Sequence, residues 1–145
     1  MGQLAVDLSP RAGELKRSLA KDQRSGIDFP RYFTARLGPG QTPYDEVQWE
    51  LRTATIGNDK GAVLFEQRDV EAPVDWSQTA TNIVASKYFH GRMGSPERER
   101  SVGQLVHRVT DTIANWGIES RYFRSPEDGA NVRDELAHLM LTQKA

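Results

Sequence analysis

Residues 95–117, SPERERSVGQLVHRVTDTIANWG, carry the clearest fold signal in the chain. They open with Ser95-Pro96-Glu97, a helix start signal with serine at the cap, proline at the first helical position and an acid in the first turn. The apolar residues that follow have helical spacing, and Gly117 is a stop signal. These apolar residues are Val102, Leu105, Val106, Val109, Ile113 and Trp116. The stretch therefore predicts an amphipathic helix from residue 95 to residue 117.

A second helix is predicted downstream, where Ser125-Pro126-Glu127-Asp128 repeats the same start signal. Its predicted apolar lining is Val132, Leu136, Leu139 and Met140. No stop signal precedes Ala145. We therefore expect this helix to be still running at the last residue, as if the chain were cut within a larger domain.

Another helix is predicted upstream, beginning near residue 76. Asp75 is its predicted N-cap, with Gln78 three residues later as in a capping box. Gly91 or Gly94 is predicted to end it. Its apolar stripe consists of Ala80, Ile83 and Val84. The chain thus has three amphipathic helices in succession.

Before the helices, the apolar pattern changes to a period of two, which indicates β-strands. One face is predicted to carry Val47, Trp49, Leu51, Thr53 and Thr55, and the other Gln48, Glu50 and Arg52. Residues 57–61, GNDKG, are typical of a turn, so a hairpin of strands over 46–56 and 62–68 is predicted. A lone hairpin is only marginally stable in water, so it must pack on the helices or join a sheet from another segment.

The N-terminal part gives weaker signals. Residues 1–28 are polar and predict a loosely held arm with one short helix over 10–21, and residues 38–43 predict a loop because they contain two glycines and two prolines. We therefore predict an arm over 1–28 and a module over 29–145. The predicted fold class is α+β and mainly helical: a β-hairpin followed by three amphipathic helices, forming an incomplete module of a larger catalytic domain.

Composition excludes several classes of function. The 145 residues carry a net charge of -1, so bulk electrostatics favour neither nucleic acid nor an anionic membrane as a partner. No stretch approaches the roughly 20 apolar residues of a membrane span, and the N-terminus lacks a signal-peptide pattern. We therefore expect a soluble, cytoplasmic protein. The absence of cysteine excludes disulfides, thiolate metal sites and a thiol nucleophile in this chain.

A basic residue followed by Tyr-Phe occurs three times, at residues 31–33, 87–89 and 121–123. Such triplets could serve as stacking platforms for single-stranded nucleic acid. The competing interpretation is structural: each Phe enters the core, each Tyr reaches a polar partner and each basic residue is solvated. Because the net charge gives no support to nucleic-acid binding, we favour the structural interpretation.

No self-sufficient active site is evident. His90, His107 and His138 lack metal-ligand spacing, and capping or surface roles are expected for them. Residues 96–100, PERER, predict either a solvated helix face or an ion-pair surface that orients a partner domain. Asp69 and Glu71 could pair as carboxylates, but no neighbouring residue in sequence would desolvate one of them into a general acid.

Residues 76–90, WSQTATNIVASKYFH, resemble the N-terminal region of adenosylcobalamin-dependent (class II) ribonucleotide reductases. The resemblance extends over residues 28–143, and Arg121, Gly129 and Val132 depart from the family pattern. Further segments that carry it are Asp28-Phe29-Pro30-Arg31-Tyr32-Phe33, Pro43-Tyr44-Asp45, Val47-Gln48-Trp49-Glu50, Phe65-Glu66-Gln67, Pro96-Glu97-Arg98-Glu99, Trp116-Gly117 and Glu135-Leu136.

The resemblance implies an enzyme that reduces the 2′-hydroxyl of a ribonucleotide to give a deoxyribonucleotide for DNA synthesis. In such enzymes adenosylcobalamin generates the radical, a cysteine thiyl abstracts hydrogen from the ribose, and a cysteine pair supplies electrons and is reduced again by a dithiol. None of those cysteines maps onto this chain, so no catalytic residue is carried over, and no cobalamin contact is assigned. By itself the chain is expected to be inactive.

The implied role is a scaffold that docks against the remainder of the reductase, in the same or a separate chain. The candidate docking surface consists of Trp76, Asn82, Lys87, Tyr88, His90 and Arg98. Two alternatives differ in class: a stand-alone, non-catalytic regulatory module derived from that family, and a binder of single-stranded nucleic acid that uses the three aromatic triplets.

Overall fold

The computed structural model describes residues 25–145. A 3-10 helix, Pro43–Glu46, precedes strands β1 (Trp49–Gly57) and β2 (Val63–Pro73) and helices α1 (Gln78–Lys87), α2 (Val102–Glu119) and α3 (Pro126–Leu141). An antiparallel hairpin followed by three helices confirms the predicted α+β class. The predicted helix over 10–21 lies outside the described residues. The division at residue 28 stays a prediction, although the Ile27 N–H donates to the Tyr122 carbonyl at 2.7 Å.

The hairpin contains a β-bulge that sets which side chains face the helices. Arg52 pairs with Val70 and Ala54 pairs with Gln67, so one residue of β1 opposes two of β2. Asp69, in the bulge, has a φ of 55°. On the predicted face with Leu51, Leu51 and Thr53 are exposed, whereas Val47 and Trp49 pack against the core. Ala54 is buried against the helices. β2 also runs five residues beyond its predicted end, to Pro73.

The core lies between the hairpin and the three helices. It consists of Ala54, Val70, Ala72, Ala85, Phe89, Val102, Val106, Ala137 and Leu141. From α2, Val102 and Val106 are buried as predicted, but Ile113 and Trp116 at the other end of the same predicted stripe are exposed. The apolar stripe of α2 therefore extends along the helix beyond the part that packs against the core.

Helices α1 and α2 begin later than predicted. Ser77, and not Asp75, caps α1, because its side chain accepts the Ala80 N–H. α1 ends at Lys87, before either predicted glycine. The predicted start of α2 at Ser95 is wrong, since α2 begins after Ser101. The Ser101 hydroxyl accepts the Gly103 N–H at 3.0 Å, and Gln104 completes a capping box.

α3 begins at its predicted cap, where Ser125 accepts the Asp128 N–H at 3.2 Å. The prediction of an unfinished helix is wrong, because α3 ends at Leu141. Gln143 has a φ of 55°, and the Lys144 N–H donates to the Leu139 carbonyl at 2.8 Å. The Gln143 N–H donates to the Met140 carbonyl, which completes a Schellman motif with glutamine in place of the usual glycine.

Gly117 does not end α2, which runs on to Glu119. It is buried, and a Cβ at this position would overlap the ring of Phe123. The glycine therefore gives Phe123 room to pack against the helix.

Gly117→Ala is accordingly expected to lower the free energy of unfolding by about 1–3 kcal/mol, as overpacking does elsewhere. Urea denaturation followed by circular dichroism measures the change. Asn115→Ala, at an exposed site on the same helix, is the matched control and should shift stability by no more than about 0.5 kcal/mol. Equal stability of the Gly117→Ala variant and the wild type would contradict this account of Phe123 packing.

Candidate docking surface

An apolar groove of about 430 Å³ lies where α1, α2 and the end of α3 meet. Among the described residues, no charged side chain lines it. Its lining consists of Trp76, Ala80, Ile83, Val84, Tyr88, Leu105, Val106, Val109, Met140, Gln143 and Ala145. Ile83 is 45% exposed and Tyr88 is 61% exposed, so large apolar surface at this groove faces solvent.

Trp76 and Tyr88, two of the six predicted docking residues, lie in this groove. The Trp76 indole N–H donates to the Leu141 carbonyl at 2.8 Å, which ties the segment before α1 to the end of α3. This bond fixes the ring in the groove wall, and Trp76 as a whole is half-buried. Lys87 and His90 are exposed beside Tyr88 in sequence.

Asn82 and Arg98 use their polar atoms inside the fold. The side-chain carbonyl oxygen of Asn82 accepts the Thr55 N–H at 3.1 Å, which joins α1 to β1. It also accepts the side-chain amide N–H of Gln78 at 2.9 Å. These contacts are structural. A docking role for the six residues as a set stays a prediction.

Arg98 connects the turn after α1 to β2. Its guanidinium donates to the carbonyls of Ala85 at 2.6 Å, Phe89 at 2.8 Å and Gly91 at 3.0 Å, and to the side chain of Gln67 at 3.1 Å. It also lies 5.7 Å from the centre of the Phe89 ring. Since a helix leaves its last carbonyls without internal partners, Arg98 supplies a donor to Ala85 in the last turn of α1 and two more to the turn that follows it.

A second polar cluster, on α3, was missed by the sequence analysis. Glu135 accepts the Phe33 N–H at 2.8 Å, and the Thr34 N–H at 2.8 Å and hydroxyl at 2.5 Å. Asp128 accepts the Phe29 N–H at 2.8 Å, and Arg31 donates to Asp134 at 2.7 Å. α3 thus clamps residues 29–34, which we call the N-terminal strap.

Two carboxyl groups of this clamp have shifted pKa values. Burial alone would raise the pKa of Glu135, but the hydrogen bonds from Thr34 and Phe33 outweigh it, so the net shift is downward. The Ser125 hydroxyl and the Phe29 N–H lower the pKa of Asp128. Both groups are therefore held ionised in the folded state.

The sign of the pH dependence follows from these two lowered pKa values. A carboxyl whose pKa is lower in the folded state stabilises the fold above its ordinary pKa, about 3.9–4.3, and loses that contribution as the pH falls through the lowered value. We expect the free energy of unfolding to be steady from about pH 7 to 5 and to fall progressively below about pH 4.5. Urea midpoints across this range measure it; a midpoint that does not fall at low pH would contradict the assignment.

The three aromatic triplets follow the structural interpretation for phenylalanine and for two of the basic residues, since Lys87 and Arg121 are exposed. Phe89 is buried, and Phe33 stacks on His138 with ring centres 5.1 Å apart. Tyr32, Tyr88 and Tyr122 are all largely exposed, and a polar partner for each of their hydroxyls stays a prediction. Arg31 is ion-paired with Asp134 and so is not simply solvated.

The histidines and the paired carboxylates form no catalytic arrangement in residues 25–145. His107 lies 3.2 Å from Asp111, one helical turn away, and His90 is exposed. The surface role expected for His138 is wrong, because its side chain is buried against Phe33. Glu71 accepts the Ser101 hydroxyl at 2.8 Å, and Asp69 is exposed. Within the same residues, no three His, Cys, Asp or Glu side chains are grouped to hold a metal ion.

Residues 96–100 form no helical turn, contrary to the prediction, because α2 starts after them. Glu99 is buried and pairs with Arg108 at 2.6 Å, and Arg98 points inward as described above. The side chains of Arg98 and Glu99 therefore make contacts within the fold.

Fold and site together define an α+β module with an open apolar groove and, in the described part of the chain, no self-contained catalytic centre. Residues 50–143 match the sequence model of a family described as class II vitamin B12-dependent ribonucleotide reductase. The chain belongs to this family, as its N-terminal region. The resemblance seen in the sequence is thereby confirmed.

Curated relatives carry the same name. The vitamin B12-dependent ribonucleotide reductase of Rhodopirellula baltica is 47% identical over 124 residues, which cover 85% of this chain and 12% of the relative. That of Streptomyces coelicolor is 43% identical over 133 residues, covering 91% and 14%. That of Streptomyces clavuligerus is 48% identical over 119 residues, covering 81% and 12%. The chain thus spans about one-eighth of the length of these relatives.

No described residue is assigned to the vitamin B12 cofactor of this family. A cleft of about 650 Å³, lined by residues of β1, β2 and α2, is within the range of drug-sized ligands. Its polar lining is largely paired already: Glu71 with Ser101, and His107 with Asp111. None of the helices in residues 25–145 is long and apolar enough to cross a membrane.

Proposed function

We propose that this chain acts as the structural N-terminal module of a B12-dependent ribonucleotide reductase. The observation that carries the proposal is the family match over residues 50–143 in a chain without cysteine. The chemistry of the whole enzyme is the conversion of ribonucleotides to deoxyribonucleotides with adenosylcobalamin and a dithiol reductant. That chemistry belongs to the remainder of the reductase, in the same or a separate chain. A regulatory module separate from the enzyme is not favoured by these matches.

The geometry supports a scaffold role. The interior polar atoms serve the fold itself: Arg98 closes the end of α1, and Glu135 holds the strap. The apolar surface at the groove remains exposed and is available to bind another part of the enzyme. We also propose that the complete enzyme works in the cytoplasm, where it would supply deoxyribonucleotides for DNA synthesis.

An activity assay tests the scaffold role directly. The isolated chain, supplied with adenosylcobalamin, a dithiol and ribonucleoside di- or triphosphates, is expected to form no deoxyribonucleotide. Any turnover above that of a boiled sample would overturn the proposal.

A chimera tests whether this chain can serve as the N-terminal module of an active reductase. The region of the Rhodopirellula baltica reductase that matches this chain is replaced by the present sequence, and by the Streptomyces coelicolor sequence as a control. We expect both chimeras to retain reductase activity within about tenfold of the parent, a loss of at most about 1.4 kcal/mol in transition-state stabilisation. An inactive chimera beside an active control would count against this chain.

A further inference from the structure

We infer that the apolar groove binds an amphipathic helix from the part of the reductase that lies outside the matched region. This inference rests on the proposed function, and it names the partner element and the place where it binds.

Two apolar ridges with helical spacing flank the groove. On α1 the ridge runs through Ala80, Val84 and Tyr88, each four residues apart, with Ile83 beside it. On α2 the ridge consists of Leu105, Val109, Ile113 and Trp116. Side chains spaced three or four residues apart lie on one side of a helix, so each helix presents a continuous row. A groove between two such rows accepts the apolar face of a third helix.

The α2 ridge continues beyond the groove. Leu105 and Val109 line the groove, whereas Ile113 is exposed and Trp116 is 63% exposed. At 1.5 Å per residue, the ridge from Leu105 to Trp116 is roughly 16 Å long, about three helical turns. An isolated exposed apolar side chain is ordinary, but a row of this length beside an open groove indicates an interaction surface.

The chemistry of the lining selects the kind of occupant. The Trp76 indole N–H is already bonded to the Leu141 carbonyl. Among the described residues that line the groove, Gln143 is the only one with an amide side chain. Such a site binds by burying apolar surface and does not recognise a phosphate or a sugar.

The length of the relatives favours the rest of the reductase over a second copy of this chain. The matched region is 12–14% of each of the three relatives above, so 86–88% of their polypeptide lies outside it. A twofold contact between copies would set groove against groove, and two concave surfaces do not fill each other. A helix from the remainder supplies the convex surface that the groove lacks.

Thiol labelling tests the site, because the chain has no cysteine of its own. Ile83→Cys in the groove and Leu64→Cys at the exposed hairpin are each placed in the isolated chain and in the active Rhodopirellula baltica chimera. Maleimide labelling at each position is followed by peptide mass spectrometry. We expect Cys at 83 to react at least about tenfold more slowly in the chimera than in the isolated chain, and Cys at 64 to react equally in both.

Photo-crosslinking identifies the occupant. Tyr88 is replaced by p-benzoylphenylalanine in the chimera, and the expected adduct is a peptide from outside the matched region with apolar residues three or four apart. An adduct to another copy of the module, or a labelling rate at position 83 that does not change, would overturn the inference. An active chimera with an unprotected position 83 rejects only the groove assignment. An inactive chimera with a protected position 83 rejects only the proposed function.

Discussion

Replacement of Arg98 by methionine is expected to lower the free energy of unfolding by about 3 kcal/mol or more. Methionine fills much of the same volume but donates no hydrogen bond, so the carbonyls of Ala85, Phe89 and Gly91 lose their side-chain donor. Each buried acceptor left without a partner costs about 1–3 kcal/mol. The loss is expected as a lower urea midpoint with an unchanged denaturant slope.

Two further variants separate geometry from charge. Arg98→Lys keeps the charge but lacks the planar fork that reaches several carbonyls at once, so most of the destabilisation should remain. Arg100→Met removes an exposed arginine two residues away and should change stability by no more than about 0.5 kcal/mol. If Arg98→Lys were as stable as the wild type, the positive charge and not the hydrogen-bond geometry would account for the role of Arg98.

Arg98 also explains why one helix start could be predicted and another could not. The same serine-proline-acid signal occurs at residues 95–97 and 125–128, and only the second begins a helix. Before α2, Arg98 reaches back to the end of α1, and Ser101 provides a competing cap. The order of a hairpin and three helices follows from local patterns, which is why the sequence predicted it. Contacts between distant segments decide the boundaries.

The face of α3 shows a second limit of pattern analysis. The predicted apolar lining, Val132, Leu136, Leu139 and Met140, is only partly buried, whereas a polar set at helical spacing is buried. That set is Asp128, Asn131, Asp134, Glu135 and His138. Burial of carboxylates requires donors, and these come from the strap about 100 residues earlier. Spacings of three and four among these polar residues were the available signal.

The docking residues could be predicted only in part. Trp76 and Tyr88 lie in the groove, but Asn82 and Arg98 face inward, since a residue pattern does not distinguish a binding side chain from one that bonds the backbone. The α2 half of the groove was predicted only as an apolar stripe, because apolar residues at helical spacing do not reveal how much of the stripe a neighbour covers.

Loss of the Glu135 carboxylate should have the second large effect. Glu135 is 6% exposed, and its two oxygens accept three hydrogen bonds from Phe33 and Thr34. In Glu135→Gln, one oxygen is replaced by an NH2 group that cannot accept a hydrogen bond, and the remaining bonds lose their charge assistance. We expect a loss of about 3 kcal/mol at neutral pH, measured by urea denaturation, together with release of the strap.

The pH dependence of this variant distinguishes the clamp from general packing. Below the lowered pKa the wild-type carboxyl is protonated and has itself lost the charge-assisted bonds, so the difference between wild type and Glu135→Gln should shrink as the pH falls below about 4. Hydrogen exchange at the Phe33 and Thr34 amides should quicken in the variant at neutral pH, because both amides donate to Glu135. Glu127→Gln, in the exposed first turn of the same helix, removes the same charge without touching the strap, and should cost at most about 0.5 kcal/mol through the helix dipole. If the difference in free energy of unfolding between the wild type and Glu135→Gln stayed constant with pH, the shape of the side chain, and not its charge, would hold the strap.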